Sequence, residues 1–123
     1  MLTYDMTCEA TAPTTLGFVD ITEQVQNAVA LSQVTDGRVT VLRSEPGCSL
    51  ILNEQERGLH ADVQATIRRL ELNNGSGPPP VGSASLVLPV VGGRIHLGTW
   101  QRILMLELEQ PRTRPLLVQV VGE

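Results

Sequence analysis

Gly92-Gly93 separates two apolar stretches, Leu86-Val-Leu-Pro-Val-Val91 and Arg94-Ile-His-Leu97. Two successive glycines accept positive φ at both central positions of a two-residue turn, so the stretches are expected to form an antiparallel hairpin. The whole last third of the chain reads the same way. Ser85 to Val90, Arg94 to Leu97, Thr99 to Glu109 and Leu116 to Val121 are four candidate strands. Thr99 to Glu109 ends in clean apolar–polar alternation, the mark of a half-buried strand. Leu116-Leu-Val-Gln-Val-Val121 is apolar on nearly both sides and is expected to be covered on both faces.

Upstream, Leu2, Tyr4, Met6, Cys8 and Ala10 alternate with Thr3, Asp5, Thr7 and Glu9, which predicts another half-buried strand ended by Pro13. Glu23 to Leu31 has helical periodicity, with Val25, Ala28, Val29 and Ser32 on its inner face and Asp20 or Thr22 as its cap. Asp36-Gly37 is a turn, Arg38 to Arg43 a strand, and Ser49 to Asn53 a further strand after the Pro46-Gly47 interruption. A second helix is expected from about Leu59 to Leu72, with Leu59, Val63, Ile67 and Leu70 on one face. Asn73 to Pro80 can neither continue a helix nor enter a central strand, so it reads as a surface connection. Strand, helix, strands, helix and strand run make an α+β fold of largely antiparallel sheets in a single domain, 1–123.

Composition narrows the function classes. Tyr4, Phe18 and Trp100 are the only aromatics, so the core must be aliphatic and Trp100 is expected in it or at a subunit interface. The nine basic residues are all Arg, and the net charge is −4. That balance argues against nucleic acid or an anionic membrane as a partner, because counterion release needs a basic face. Neither a targeting segment nor a run of membrane-spanning length is evident, and a cytoplasmic location with both thiols, Cys8 and Cys48, reduced and buried is expected.

Gly17-Phe-Val-Asp-Ile-Thr22, Asp36-Gly37 with Val39-Thr-Val41, Leu52-Asn-Glu54, Leu88-Pro89, Gly93-Arg94, Leu97-Gly-Thr-Trp-Gln101, Pro111-Arg112 and Gly122-Glu123 together resemble the YjbQ-like family. Gly-Thr-Trp-Gln in this order and context is the most particular of these elements. The resemblance implies α+β subunits assembled as homotrimers. For some members it also implies a secondary thiamine-phosphate synthase activity, joining a pyrimidine pyrophosphate to a thiazole phosphate.

The chain departs from the family pattern where that chemistry would reside. Glu45-Pro46-Gly47 stands where the family usually has His-Thr-Thr or His-Thr-Ser, so an imidazole able to shuttle protons is lost. Arg57-Gly58 stands near the family's Asp-Pro pair, and the Gly/Pro-rich connection replaces a longer loop bearing His and Asp. The expected role is therefore a non-catalytic or weakly binding trimeric relative, with the synthase as the alternative. Candidate ligand-binding residues are Glu45, Asn53, Glu54, Gln101 and Arg112, for a small anionic or phosphorylated ligand. Arg112 is suited to a bidentate phosphate contact. If a hairpin brought Glu45 and Glu54 together, two close carboxylates could do acid–base work; otherwise they are solvated charges at strand ends, with Arg57 as a partner.

No cofactor is expected. Cys48, His60, His96, Glu45 and Glu54 are the residues a metal would draw on, and no pair of them has recognised zinc spacing. Gly47-Cys-Ser-Leu50 is not a nucleophile elbow, and Gly75-Ser-Gly77 is too short and Pro-bound to be a phosphate loop.

Overall fold

In a computed structural model, residues 1–54, 61–62, 64–69 and 82–123 are described. They form β1 (Leu2–Ala10), β2 (Phe18–Asp20), α1 (Thr22–Ser32), β3 (Gly37–Arg43), β4 (Cys48–Glu54), β5 (Ser85–Val91), β6 (Arg94–Ile95), β7 (Gln101–Glu107) and β8 (Arg114–Gly122). Residues 61–62 and 64–69 are helical, within the range expected for a second helix. Leu59, Val63, Leu70, Arg57, His60 and the Asn73–Pro80 connection lie outside the described residues.

Two antiparallel sheets carry the fold, one ordered β1-β8-β3-β5-β6 and the other β2-β7-β4. The Gly92-Gly93 hairpin forms as expected, with φ of 60° and 76° linking β5 to β6. Its second strand is shorter than the sequence suggests, because the pairing ends at Ile95. The alternation of β1 registers against β8, so that Tyr4, Met6 and Cys8 face inward opposite Val120, Val118 and Leu116. Gly37 and Gly122 face each other where β3 begins and β8 ends. A Cβ on Gly37 would meet the Val121 carbonyl and one on Gly122 the Asp36 carbonyl, so this crossing admits only glycine.

The main core lies between the inner face of the five-stranded sheet, the inner face of α1 (Val25, Ala28, Val29) and one face of the three-stranded sheet (Leu50, Ile103, Met105). A smaller cluster on the other face of the three-stranded sheet joins Leu16, Leu106 and Leu108 to Ile67 of the second helical segment.

This layering corrects two expectations. β8, read as covered on both faces, alternates: Leu116, Val118 and Val120 are buried while Leu117 and Gln119 are exposed. β7 is the doubly covered strand, with Ile103 to Glu107 all buried. It is the middle strand of the smaller sheet and has a cluster on each side, whereas β8 presents its outer face away from the core. The β7 strand also begins later than expected. Gly98 to Gln101 close a turn, through Gln101 N–H to the Gly98 carbonyl (3.1 Å) and Gly98 N–H to Gln101 Oε1 (2.8 Å). That turn leaves Trp100 75% exposed, so it is not part of this chain's core.

The entry to α1 is capped differently from a simple N-cap. Asp20 Oδ1 accepts from the Thr22 N–H at 2.9 Å, but Ile21 is the capping position and its side chain makes no cap bond. The Thr22 hydroxyl instead accepts from the Ile103 N–H at 2.8 Å, tying the first turn of the helix to β7.

Candidate functional site

The candidate residues fall at the two ends of the three-stranded sheet. Because β4 and β7 are antiparallel, Asn53 registers with Arg102 and Glu54 with Gln101, while Cys48 registers with Glu107. The β7 strand spans about 20 Å between those ends, at the usual rise of an extended chain. Asn53, Glu54 and Gln101 therefore gather at one end. Glu45, just ahead of β4, belongs to the other, where it meets Arg112 at 3.6 Å. The hairpin that would have brought Glu45 beside Glu54 is absent, since they flank opposite ends of the same strand.

At the Glu45 end lies an ion network centred on a buried arginine. Arg114 is in phase with the inward residues Leu116, Val118 and Val120, and its side chain is 2% exposed. Its Nε donates to Glu107 Oε1 at 2.9 Å and its Nη2 to Glu107 Oε2 at 2.6 Å, a two-pronged contact with a fully buried carboxylate. Nη1 donates to Glu45 Oε1 at 2.8 Å, and Nη2 also reaches the Gly47 carbonyl at 3.2 Å. Glu107 Oε2 additionally accepts from the Glu109 N–H at 3.1 Å. The hydrogen bond to Glu107 is the main reason the guanidinium is held above its ordinary pKa, outweighing burial; Glu45 adds to it. Gly47 is required here, because a Cβ would run into that guanidinium.

Glu45 is thus an anchor for a buried cation, not a solvated strand-end charge. Beside it, Cys48 is buried and reduced, and burial pushes its thiol above the ordinary value; burial does the same for Cys8. Neither is an activated nucleophile, which agrees with reading both as small core residues. Among the described residues no three His, Cys, Asp or Glu side chains are grouped as a metal would need.

The Gln101 end is open. A polar cleft of about 340 Å³ is lined by Thr22, Glu23 and Gln26 of α1 and by residues of the Arg94–Arg102 segment, including Thr99 and Gln101. Arg102 Nε donates to Asp20 Oδ2 and Nη2 to Glu23 Oε1, both at 2.6 Å. Burial pushes the Asp20 carboxyl up, but hydrogen bonds from Arg102 and from the Thr22 backbone and hydroxyl outweigh it and hold the group below its ordinary value. Arg112, which carried the phosphate argument, lines the far end instead and is half exposed beside Glu45.

Neither arginine at the centre of these networks is among the candidates read from sequence. Phase would have found one of them: Glu107 follows Ile103 and Met105 on the inward side, and Arg114 precedes Leu116, so opposite charges occupy matching core positions. Arg102, Asp20 and Glu23 gave no such signal, because their meeting depends on how α1 docks against β7.

Comparison with known proteins supports the architecture along nearly its whole length. The model of the UPF0047 protein YjbQ-like family matches residues 6–76 and 81–123. A UPF0047 protein from Archaeoglobus fulgidus is 35% identical over 117 residues, covering 84% of this chain and 90% of that protein. A crystal structure of a YbjQ-like protein of unknown function from Sulfolobus solfataricus superposes with a TM-score of 0.85 at 27% identity, covering 98% of each chain. The structure of a hypothetical protein from Aeropyrum pernix is 30% identical, with a TM-score of 0.78 and full coverage of both chains. With the family model matching nearly the whole chain and these structures superposing on it, the chain belongs to the YjbQ-like UPF0047 family.

Proposed function

We propose that this chain is a cytoplasmic, self-associated member of the family that binds a small anionic ligand without performing the synthase chemistry. The observation that carries this reading is the separation of the candidate residues. Glu45 and Arg112 are committed to the Arg114 network, while Asn53, Glu54 and Gln101 stand at the opposite end of β4 and β7. A carboxylate already bonded to a buried arginine is poorly placed to exchange protons with a substrate, and Glu45 has no nearby second carboxylate on β4 to share one with.

Self-association is supported by the outer face of the five-stranded sheet. Leu117 of β8 pairs with Leu42 of β3, and Val87 of β5 pairs with the neighbouring Thr40, so three adjacent strands present an aliphatic strip. Leu42, Val87, Val91 and Leu117 are each 39–59% exposed. An apolar strip on a sheet face is the kind of surface a protein covers with a partner, and the homotrimer implied by family resemblance supplies one. No helix among the described residues is long and apolar enough to cross a membrane.

Native mass spectrometry of protein prepared without chelator tests the reading. A trimer that dissociates in the Val87→Glu/Leu117→Glu double variant and forms no thiamine phosphate from its two precursors is expected. A monomer removes the assembly, and turnover removes the non-catalytic role.

A further inference from the structure

We propose that the cleft between the first turn of α1 and the Arg94–Arg102 segment binds a small oxyanion, a phosphate or carboxylate group, with Arg94 as its charged contact. This rests on the anion-binding reading above and gives that ligand a place. The cleft's hydrogen-bonding groups are unequally used. Arg102 has its charge offset by Asp20 and Glu23, whereas Arg94 makes no ion pair among the described residues. In a chain of net charge −4, that leaves an exposed cation lining a polar recess.

Glu23 also lines the cleft, with Oε1 bonded to Arg102 and Oε2 left as an acceptor, while the other remaining groups are mostly donors. Gln101 Oε1 is occupied by the Gly98 N–H, which turns the Gln101 Nε2 amide into the free end of that side chain. Both Asp20 oxygens are taken, one by the Thr22 N–H and one by Arg102. The Thr99 hydroxyl is exposed at the rim. Surplus N–H and O–H groups around a guanidinium without an ion pair among the described residues favour a ligand rich in acceptor oxygens, which a phosphate or carboxylate supplies.

The recess is also held in shape before any ligand arrives. Gln26 donates from Nε2 to the Gly93 carbonyl at 3.3 Å and accepts the Ile95 N–H on Oε1 at 3.0 Å. One side chain of α1 therefore grips β6 on either side of Arg94, fixing the backbone from which the cation projects. The glycine turn holds the near end of that strand and the Gly98–Gln101 turn follows it.

Inorganic phosphate and, separately, succinate would be titrated by calorimetry into the assembled protein and its Arg94→Ala and Arg112→Ala variants. Arg94→Ala is expected to weaken binding at least tenfold, with Arg112→Ala changing it less than twofold. Arg94 is exposed, so its loss should leave the melting temperature unchanged. Phosphate binding without succinate binding supports the proposal and assigns the phosphate class; the reverse supports it and assigns the carboxylate class. Binding that survives Arg94→Ala but is lost in Arg112→Ala overturns the cleft while leaving the small-anion reading standing. A wild-type protein that binds neither probe at millimolar concentration overturns both.

Discussion

Two arginines in this fold each hydrogen-bond to two carboxylates, and they have opposite fates. Arg114, between Glu107 and Glu45, is 2% exposed and also holds the Gly47 carbonyl. Arg102, between Asp20 and Glu23, is a third exposed and borders an open cleft. The chemistry of the ion pairs is alike, so what separates them is dielectric and access. A buried pair must satisfy nearly every donor from within the protein, and the Arg114 network does so by joining β7, β8 and the loop before β4. A solvent-facing pair can leave donors free, and the Arg102 end does so beside Arg94, which makes no ion pair among the described residues. One end of the three-stranded sheet is closed by its charges, and the other is equipped by them.

The largest test of that contrast is removal of one partner from the buried pair. Arg114→Leu would leave Glu107 fully buried without its cation, a change that costs about 3–5 kcal/mol in comparable buried pairs. That is a large share of the roughly 5–15 kcal/mol that holds a typical domain together. Replacing both charges, in Arg114→Leu/Glu107→Leu, should recover most of the loss, because an apolar pair needs no charge compensation. Urea unfolding of the single and double variants measures this. A single variant as stable as wild type would mean that the network contributes nothing to the fold.

Gly47→Ala tests the same end more gently. The added methyl group meets a guanidinium that cannot swing away while it holds two carboxylates and a carbonyl. A loss of about 1–3 kcal/mol is expected, as for other overpacked sites. If Gly47→Ala is neutral in the same urea titration, the Arg114 side chain has room to move and the end is less rigid than its bonds suggest.

How much of this was legible in the sequence differs between the same two regions. Alternation in β1, the glycine pair of the β5–β6 hairpin and the inner face of α1 each follow from local periodicity, and each formed as read. Coverage of β7 and β8 was exchanged, because an apolar run such as Leu116–Val121 looks alike whether its outer face meets this chain or another surface. The sequence reading set Glu45 beside Glu54 and Arg112 beside Gln101, whereas the structure places Arg112 3.6 Å from Glu45. Their true organiser, Arg114, was passed over, although its period-two phase with Leu116, Val118 and Val120 marks it as inward-facing. Asn53, Glu54 and Gln101 were grouped through resemblance, and the antiparallel register of β4 and β7 brings their backbones to one end. Of the cleft itself, only Gln101 was among the candidates read from the sequence. The cleft is made by the docking of α1 against a turn some seventy-five residues later, and only tertiary contacts define it.

At the open end the expected effects are smaller. Arg102→Ala removes two ion pairs, one to a carboxylate that is 80% exposed, and should cost about 1 kcal/mol or less, as exposed pairs generally do. A loss approaching that of Arg114→Leu would erase the distinction between a structural network and an accessible one.

The smallest expected effect is a dependence on pH. Asp20 has its pKa lowered in the folded chain, so its unfolded form takes up a proton first as acid is added. The stability it contributes is therefore present above the ordinary aspartate value, about 3.9, and is lost as pH falls through the lower folded value. Urea midpoints of wild type and Asp20→Asn should differ by a constant amount from neutrality down to about pH 5, with the gap closing below about pH 4. Arg114 supplies the counterpart: with its pKa raised by Glu107 it stays charged throughout that range, so its own ionisation contributes no slope there. A gap that persisted undiminished into strong acid would show that Asp20 acts through the shape of its hydrogen bond to Thr22, which asparagine can imitate in part, and not through its charge. The open end would then be organised by backbone capping, with Glu23 left as the carboxylate that pairs Arg102.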